Sequence, residues 1–139
     1  MAKFKRVPLV YLAGGMRSNW QDEVKAAIGG SALLIDPRNH GSRDEEVYTA
    51  WDLSGVDAAD IVFGYIEKDN PNGAGLALEF GVAHAQGKPL IYVEEPGFEF
   101  SRYFGMVRAV SDRQLTSLDD GISVLKDYIK QWCSDINTA

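Results

Sequence analysis

The sequence contains very little of what several large classes of protein require. Its 139 residues include a single cysteine, Cys133, so no disulfide framework can form within the chain. No stretch approaches the roughly 20 consecutive apolar residues that span a bilayer. The two histidines, His40 and His84, are isolated from each other and from Cys133, which argues against a metal site. We therefore expect no metal, no cofactor, no membrane contact and a reducing, cytoplasmic setting.

Positive charge is also scarce. The chain has 14 Lys and Arg residues against 20 Asp and Glu residues, and its net charge is −6. Sequence-independent nucleic-acid binding needs a positive surface, so this balance argues against a nucleic-acid partner. A small anionic ligand remains compatible with it, because backbone N–H groups in a loop can hold a phosphate on an acidic protein.

Several sequence signatures are missing as well. The chain has neither a Walker A motif nor a Gly-x-Ser-x-Gly motif. No acidic pair follows the first predicted strand, which argues against a phosphate-accepting receiver domain. The basic start of the chain and the apolar residues 7–16 imitate a signal peptide, but Pro8 and two glycines interrupt the apolar run. A first core strand explains that run better.

What the sequence does contain is an alternation of strand and helix patterns. Apolar runs without period-2 alternation are typical of strands covered on both faces. The order predicts one α/β domain, residues 1–139, built as a three-layer sandwich of about five parallel strands, doubly wound in a flavodoxin-like or Rossmann-like way. The predicted strands cover residues 7–12, 32–35, 60–66, 90–93 and, more weakly, 107–110. The predicted helices pass through residues 24–28 and 47–56 and cover 75–86 and 119–132.

The most informative stretch runs from residue 60 to residue 79. It has the pattern of a buried strand, a loop rich in Gly, Asn and Pro, and a helix with Glu79 in its first turn. Ligands of parallel sheets bind beyond the carboxyl ends of the strands, where this loop is expected. A helix N-terminus favours negative charge, so we expect Glu79 to be ionised at neutral pH. Such a carboxylate can be a nucleophile, although it is more often only a favourable partner of the helix dipole.

Loops after the other strands add candidates at the same edge of the sheet. A pocket shared by Asp52, Glu79 and Tyr11 would place two carboxylates in different environments. That pattern suits substitution at a sugar anomeric carbon, with one group attacking and the other managing protons. Structural roles remain open for all of these residues, as capping groups, core aromatics, tight turns or surface charges. The further candidates for substrate binding are Gly14, Gly15, Arg17, Asp36, Arg38, Gly73 and Gly75.

Taken together, these segments resemble the nucleoside 2-deoxyribosyltransferase family. The most specific piece is Gly-x-x-x-Glu-x-Gly-x-Ala at residues 75–83, inside Asn-Gly-Ala-Gly-Leu-Ala-Leu-Glu-Phe-Gly-Val-Ala at 72–83. The weaker pieces are Tyr-Leu-Ala-Gly-Gly-Met-Arg at 11–17 with Trp20, Asp-Pro-Arg at 36–38, Asp-Leu-Ser-Gly-Val-Asp-Ala-Ala-Asp at 52–60 and Gly-Lys-Pro at 87–89.

The resemblance implies an activity and a role for each central residue. Glu79 would attack the anomeric carbon and form a glycosyl-enzyme intermediate, Asp52 would assist departure of the nucleobase, and Tyr11 would orient the nucleophile. The substrates would be a nucleoside or nucleotide and a free nucleobase. The resemblance also implies a homodimer or higher homo-oligomer, in which a neighbouring subunit completes the pocket through Phe104 and Met106.

The chain departs from the family at residues that select the substrate. Gly73 stands where transferases often place an aspartate and related nucleoside 5′-monophosphate N-glycosidases place a serine. Gly15 also stands where those hydrolases carry a serine, whereas Arg17 matches an arginine of their phosphate-binding loop. Phe104 replaces a polar residue. Three interpretations follow: a deoxyribosyltransferase, a 5′-monophosphate N-glycosidase, and a non-catalytic nucleotide-binding or sensor domain.

Overall fold

The computed structural model of the protein describes residues 6–138, so the first five residues of the signal-like start lie outside it. The strands are β1 (Leu9–Gly14), β2 (Leu33–Ile35), β3 (Ile61–Ile66), β4 (Leu90–Glu94) and β5 (Arg113–Leu115). They form one parallel sheet in the order β2-β1-β3-β4-β5. This is the flavodoxin-like strand order, and it confirms the predicted fold class.

Helices cover both faces of the sheet. They are α1 (Trp20–Ile28), α2 (Glu45–Ala58), α3 (Ala74–Ala85), α4 (Gly105–Val110) and α5 (Leu118–Thr138). Short 3-10 turns occupy Gly29–Ser31, Pro37–His40 and Ser101–Phe104. Within the described residues, no helix is both long enough and apolar enough to cross a membrane.

Two apolar cores lie between the layers. One joins the sheet to α1 and α5, and the other joins it to α2, α3 and α4. Side chains alternate across a strand, so Val10 and Leu12 of β1 enter the first core whereas Tyr11 and Ala13 enter the second. This alternation carries Tyr11 to the side of the sheet on which α2 and α3 pack.

The fifth strand differs from its prediction. Residues 107–110 belong to α4, where Val107 packs into the core, and the strand is Arg113–Leu115. A short apolar run does not distinguish a helix from a strand. The true strand lies at the sheet edge with Arg113 and Gln114 exposed, so it has no apolar run to reveal it.

The third helix also begins slightly earlier than expected, at Ala74 instead of Gly75. Gly73 precedes it with φ of 76°, a left-handed conformation that favours glycine. The Asn72 side chain accepts a hydrogen bond from the Ala74 N–H at 2.8 Å. Glu79 therefore lies in the second turn of α3, and no acidic residue lies in the first.

Candidate active site

A cleft of about 320 Å³ opens at the carboxyl ends of β1 and β3. Because β2 and β3 lie on opposite sides of β1, this is the switch point at which doubly wound sheets bind ligands. A second hollow of about 270 Å³ shares Asp52, Gly75 and Glu79 with it. Of the predicted site residues, the cleft brings together Glu79, Asp52, Arg17, Gly14, Gly15, Gly73 and Gly75.

The Glu79 carboxylate is the most buried acidic group that borders the cleft. Glu79 is only 7% exposed, and its Oε2 accepts a hydrogen bond from the Tyr11 hydroxyl. Tyr11 is completely buried, and its ring lies against Gly55 of α2, where an added Cβ would be 2.9 Å from the ring. The strand and both helices therefore fix the position of the Tyr11 hydroxyl, which in turn holds one oxygen of Glu79.

Burial raises the pKa of Glu79 to about 8. The hydrogen bond from Tyr11 lowers this pKa in part, and the negative charge of Asp52 raises it further. Burial therefore opposes the ionised form that the helix dipole was expected to favour. The helix dipole favours negative charge within the first turn of a helix, whereas Glu79 lies in the second turn of α3. There, desolvation by burial disfavours the charged form of Glu79 more strongly than the dipole favours it.

Asp52 supplies a second carboxyl group from α2. Burial raises its pKa, although His40 lowers it in part. Among the described residues, its Oδ1 is buried without a hydrogen-bond partner. Asp52 borders the same cleft as Glu79, and a carboxyl group there can exchange a proton with a ligand.

Trp20 lies behind the cleft and not within it. Its ring is 2% exposed and packs against Phe63 and Tyr65 at centroid distances of 5.9 and 5.3 Å. The indole N–H donates to the Gly15 carbonyl at 2.8 Å, and the Gln21 side chain donates to the same oxygen. Trp20, which the family resemblance places among the substrate-binding candidates, therefore supports the loop after β1 and is not among the residues that border the cleft.

Asp36 and Arg38 form an ion-pair network beside the cleft. Asp36 is 1% exposed and accepts hydrogen bonds from Lys25 at 2.7 Å and from the Arg38 backbone and side chain. Burial alone would raise the pKa of Asp36, but these bonds outweigh it and hold the pKa at about 2. Arg38 also pairs with Asp22 at 2.7 Å. These partners engage both oxygens of Asp36, which is not among the residues that border the cleft, and its predicted binding role stays a prediction.

Gly73 and Phe104 are two of the departures from the family pattern, and they pack against each other. A Cβ on Gly73 would lie 2.6 Å from the Phe104 ring and 2.4 Å from Ile66. Phe104 is 5% exposed and packs on Phe98 and Tyr92 at centroid distances of 5.0 and 6.5 Å. Its ring thus occupies the space that a side chain at position 73 would need.

The expectation that Phe104 reaches into a neighbouring subunit stays a prediction, and its burial within this chain weighs against it. A ring buried in its own protomer cannot be presented to another without leaving its core. Met106 differs, because it is 83% exposed on α4 and lies outside the cleft. Of the two residues, only Met106 is accessible to a second chain.

Glu67, the residue directly after β3, is a further polar residue beside the cleft that the sequence patterns did not indicate. Glu67 is 3% exposed, and its Oε2 accepts hydrogen bonds from the Ser18 hydroxyl at 2.7 Å and the Arg17 N–H at 3.2 Å. The Ser18 hydroxyl is therefore bonded to Glu67, and among the described residues no side chain caps α1, whose N-cap residue is Asn19. The sequence feature that could have indicated Glu67 is a lone acidic residue directly after a six-residue apolar run. That run is β3, whose six positions are all buried and whose carboxyl end lies at the edge where ligands bind.

The parallel sheet, with its cleft at the switch point, places the protein in the flavodoxin-like class of α/β folds. The family model described as "Nucleoside 2-deoxyribosyltransferase like" matches residues 7–97, and the protein belongs to this family. Among solved structures, a CMP N-glycosidase from Clostridium botulinum has a similar fold, with a TM-score of 0.58 and 18% sequence identity. The match covers 86% of this chain and 98% of that chain. No curated protein matches the chain.

Proposed function

We propose that the protein is a nucleoside 2-deoxyribosyltransferase-like enzyme that breaks the N-glycosidic bond of a nucleoside through a covalent glycosyl–Glu79 intermediate. The observation that carries this proposal is the buried Glu79 carboxyl group, held by Tyr11 in a cleft that it shares with Asp52. Membership of the family supports the same chemistry. A position for the nucleophile, its orienting group and a proton donor are all present.

The reaction proceeds as a double displacement. An oxygen of ionised Glu79 bonds to the anomeric carbon, the bond from carbon to base nitrogen breaks, and the base leaves with its electron pair and a proton from Asp52. In the second step another base or water attacks the same carbon, Asp52 accepts its proton, and the bond to Glu79 breaks. Two displacements at one carbon retain its configuration.

The two carboxyl groups lie in different environments: burial raises the pKa of both, and only Glu79 has a hydrogen bond that favours its ionised form. Asp52 must carry a proton when the base leaves, and burial raises its pKa in that direction. Glu79 must be ionised, and Tyr11 favours that form by donating to Oε2. The Tyr11 hydrogen bond occupies Oε2, so Oε1 is the oxygen we assign to attack. This combination favours turnover over a non-catalytic sensor domain.

A nucleoside 5′-monophosphate N-glycosidase is the second candidate. Arg17 borders the cleft and is half-exposed, which is what a phosphate ligand would use. The solved structure with a similar fold is itself a CMP N-glycosidase. Both candidates use the same first step and differ in whether base or water completes the second.

Turnover assays separate these candidates. The protein is incubated with deoxynucleosides and with their 5′-monophosphates, with and without a second base, and the free bases are followed by chromatography. We expect base exchange with nucleosides when the second base is present. Base release without a second base would assign hydrolysis instead. If no substrate yields either free base or exchanged product, the enzymatic proposal is wrong.

We further propose that the protein works as a homo-oligomer, most simply a homodimer, through the exposed apolar side chains of α3 and α4. Tyr103, in the turn before α4, and Met106 of α4 are 64% and 83% exposed and border a hollow of about 370 Å³, and Leu78 of α3 is 56% exposed. Leu78 also borders the second half of the active-site cleft, so a second chain seated here would adjoin the substrate.

Sedimentation velocity tests this assembly. We expect a dimer or larger species at micromolar concentration, and Met106→Glu should shift it towards monomer because the charge would be buried in the interface. Ser123→Glu adds the same charge to an exposed position of α5 and should leave the distribution unchanged. A monomer under all conditions would contradict the proposal.

A further inference from the structure

The Glu67 side chain fills the loop between β1 and α1. Its Oε2 accepts hydrogen bonds from the Ser18 hydroxyl at 2.7 Å and from the Arg17 backbone N–H at 3.2 Å. Its Oε1 lies 3.5 Å from the Asn70 side-chain nitrogen. Gly15 leaves the room that this carboxylate needs, because a Cβ at that position would lie 1.5 Å from Glu67 Oε1. The carboxylate and the loop are therefore fitted to each other.

The groups that Glu67 engages are those that a phosphate would need. Backbone N–H groups and a hydroxyl, in a loop that leads from a parallel strand into a helix, are common ligands of phosphate oxygens. This loop borders the cleft through Gly14, Gly15 and Arg17. Here its Arg17 N–H and Ser18 hydroxyl are directed at a carboxylate of the protein itself, so an incoming anionic group would have to displace a buried side chain.

The charges around the loop reinforce this exclusion. The Arg17 guanidinium is already paired, with Nε 3.5 Å from Asp69 Oδ2. Arg17 contributes one positive charge, whereas Glu67 and Asp69 contribute two negative charges. The positive charge of Lys68 does not offset this negative charge at the cleft, because Lys68 borders a separate hollow together with Tyr65 and Glu95. A phosphate dianion would enter a region of net negative charge, which disfavours binding.

We infer that Glu67 is a specificity-determining residue that engages the N–H and hydroxyl groups of the loop beside the cleft, which a phosphate would otherwise use, and so restricts the enzyme to unphosphorylated nucleosides. This inference rests on the proposed function and chooses between its two candidates. A carboxylate can accept a hydrogen bond from a neutral sugar hydroxyl, whereas it repels a phosphate on the same oxygen. Glu67 positions the loop and selects the substrate, and it takes no part in breaking the bond.

Binding and turnover of matched substrate pairs test the inference. Thymidine, deoxycytidine, deoxyadenosine and deoxyguanosine are each compared with their own 5′-monophosphate. Dissociation constants are measured by calorimetry in Glu79→Gln protein, and kcat/KM is measured in protein with Glu79. We expect the nucleoside of a productive pair to be favoured at least about 10-fold, since like charges brought together in a binding site oppose association.

Glu67→Gln should reduce that preference by about 10-fold or more, because the amide keeps the shape but removes the repelling charge. Glu23→Gln is the matched control, since it removes one negative charge from the exposed first turn of α1. It should change the preference by less than about twofold, because exposed charges are screened. If Glu67 had only a structural role, Glu67→Gln would weaken binding of the nucleoside and of its monophosphate equally.

The remaining outcomes separate failure of this inference from failure of the proposed function. Equal or tighter binding of the monophosphate by protein that retains Glu67 would overturn the inference alone. Equal effects of Glu67→Gln and Glu23→Gln would also overturn it. Nucleoside-selective binding without base release would sustain the inference and contradict the proposed function. If neither member of any pair binds, both are wrong.

Discussion

Glu79→Gln abolishes turnover, with an expected fall in kcat/KM of at least about 10⁴-fold, because an amide cannot form the glycosyl ester on which both displacements depend. The amide oxygen can still accept the hydrogen bond from Tyr11, so the buried hydroxyl keeps a partner and the fold is preserved. Base release is measured with the best substrate of the wild-type protein. Glu23→Gln, with the same chemical change on an exposed turn, should retain full activity. Retained turnover in Glu79→Gln would exclude the covalent mechanism.

The same substitution has a second consequence, for stability. The pKa of Glu79 is about 8 in the folded protein and 4.5 for an ordinary glutamate. Between these values the folded state holds a proton that the unfolded state has released, so the wild-type protein loses stability as pH rises. The slope approaches about 1.4 kcal/mol per pH unit for one proton. Glu79→Gln lacks this loss, so its stability relative to wild type should increase from pH 5 to pH 8.

Urea denaturation at both pH values measures the difference. We expect the gap between Glu79→Gln and wild type to widen by a few kcal/mol, following the linkage slope of about 1.4 kcal/mol per pH unit. The gap between Glu23→Gln and wild type should stay nearly constant, because Glu23 is exposed. A constant gap for Glu79→Gln would show that Glu79 is not desolvated.

The alternation of strands and helices was predictable because central parallel strands are buried on both faces. All six positions of β3 are buried, and they form an apolar run that the sequence displays directly. The edge strand β5 carries no such run, and the apolar residues beside it belong to α4. The bounds of β5 and the start of α3 therefore differ from the predicted ones. The first depend on exposure at the sheet edge, and the second depends on the left-handed conformation of Gly73.

The central site was predictable because its residues occur in a family-like order, and the structure brings Tyr11, Asp52 and Glu79 together. Supporting residues occur in the same motifs, and sequence alone did not separate them from residues that contact a ligand. Trp20 and Asp36 are examples, since both face inward with all their polar partners supplied by the protein. Glu67 was missed for a related reason. Its importance depends on the loop after β1, which is distant in sequence and meets it only through the β1–β3 pairing.

Tyr11→Phe should lower kcat/KM at pH 7 by about 10- to 100-fold, the range expected for losing one hydrogen bond to a charged group. The hydroxyl lowers the pKa of Glu79, so its removal raises that pKa above about 8. A smaller fraction of Glu79 is then ionised at pH 7, and its free oxygen is less well held. The rise of kcat/KM with pH, which reports the nucleophile in the free enzyme, should move to higher pH. Phenylalanine fills the same volume, so the folded structure is retained.

Asp52→Asn provides the opposing case. The negative charge of Asp52 raises the pKa of Glu79, so its removal should move the rise of kcat/KM to lower pH. Turnover should nevertheless fall by about 10²- to 10⁴-fold, because the departing base loses its proton donor. Both substitutions thus reduce the rate, while they shift the pH profile in opposite directions. A general disturbance of the cleft would reduce the rate in both variants without shifting their pH profiles in opposite directions. Shifts of the same sign in both variants would therefore contradict the assignment of Tyr11 as the group that favours ionised Glu79 and of Asp52 as the group that disfavours it.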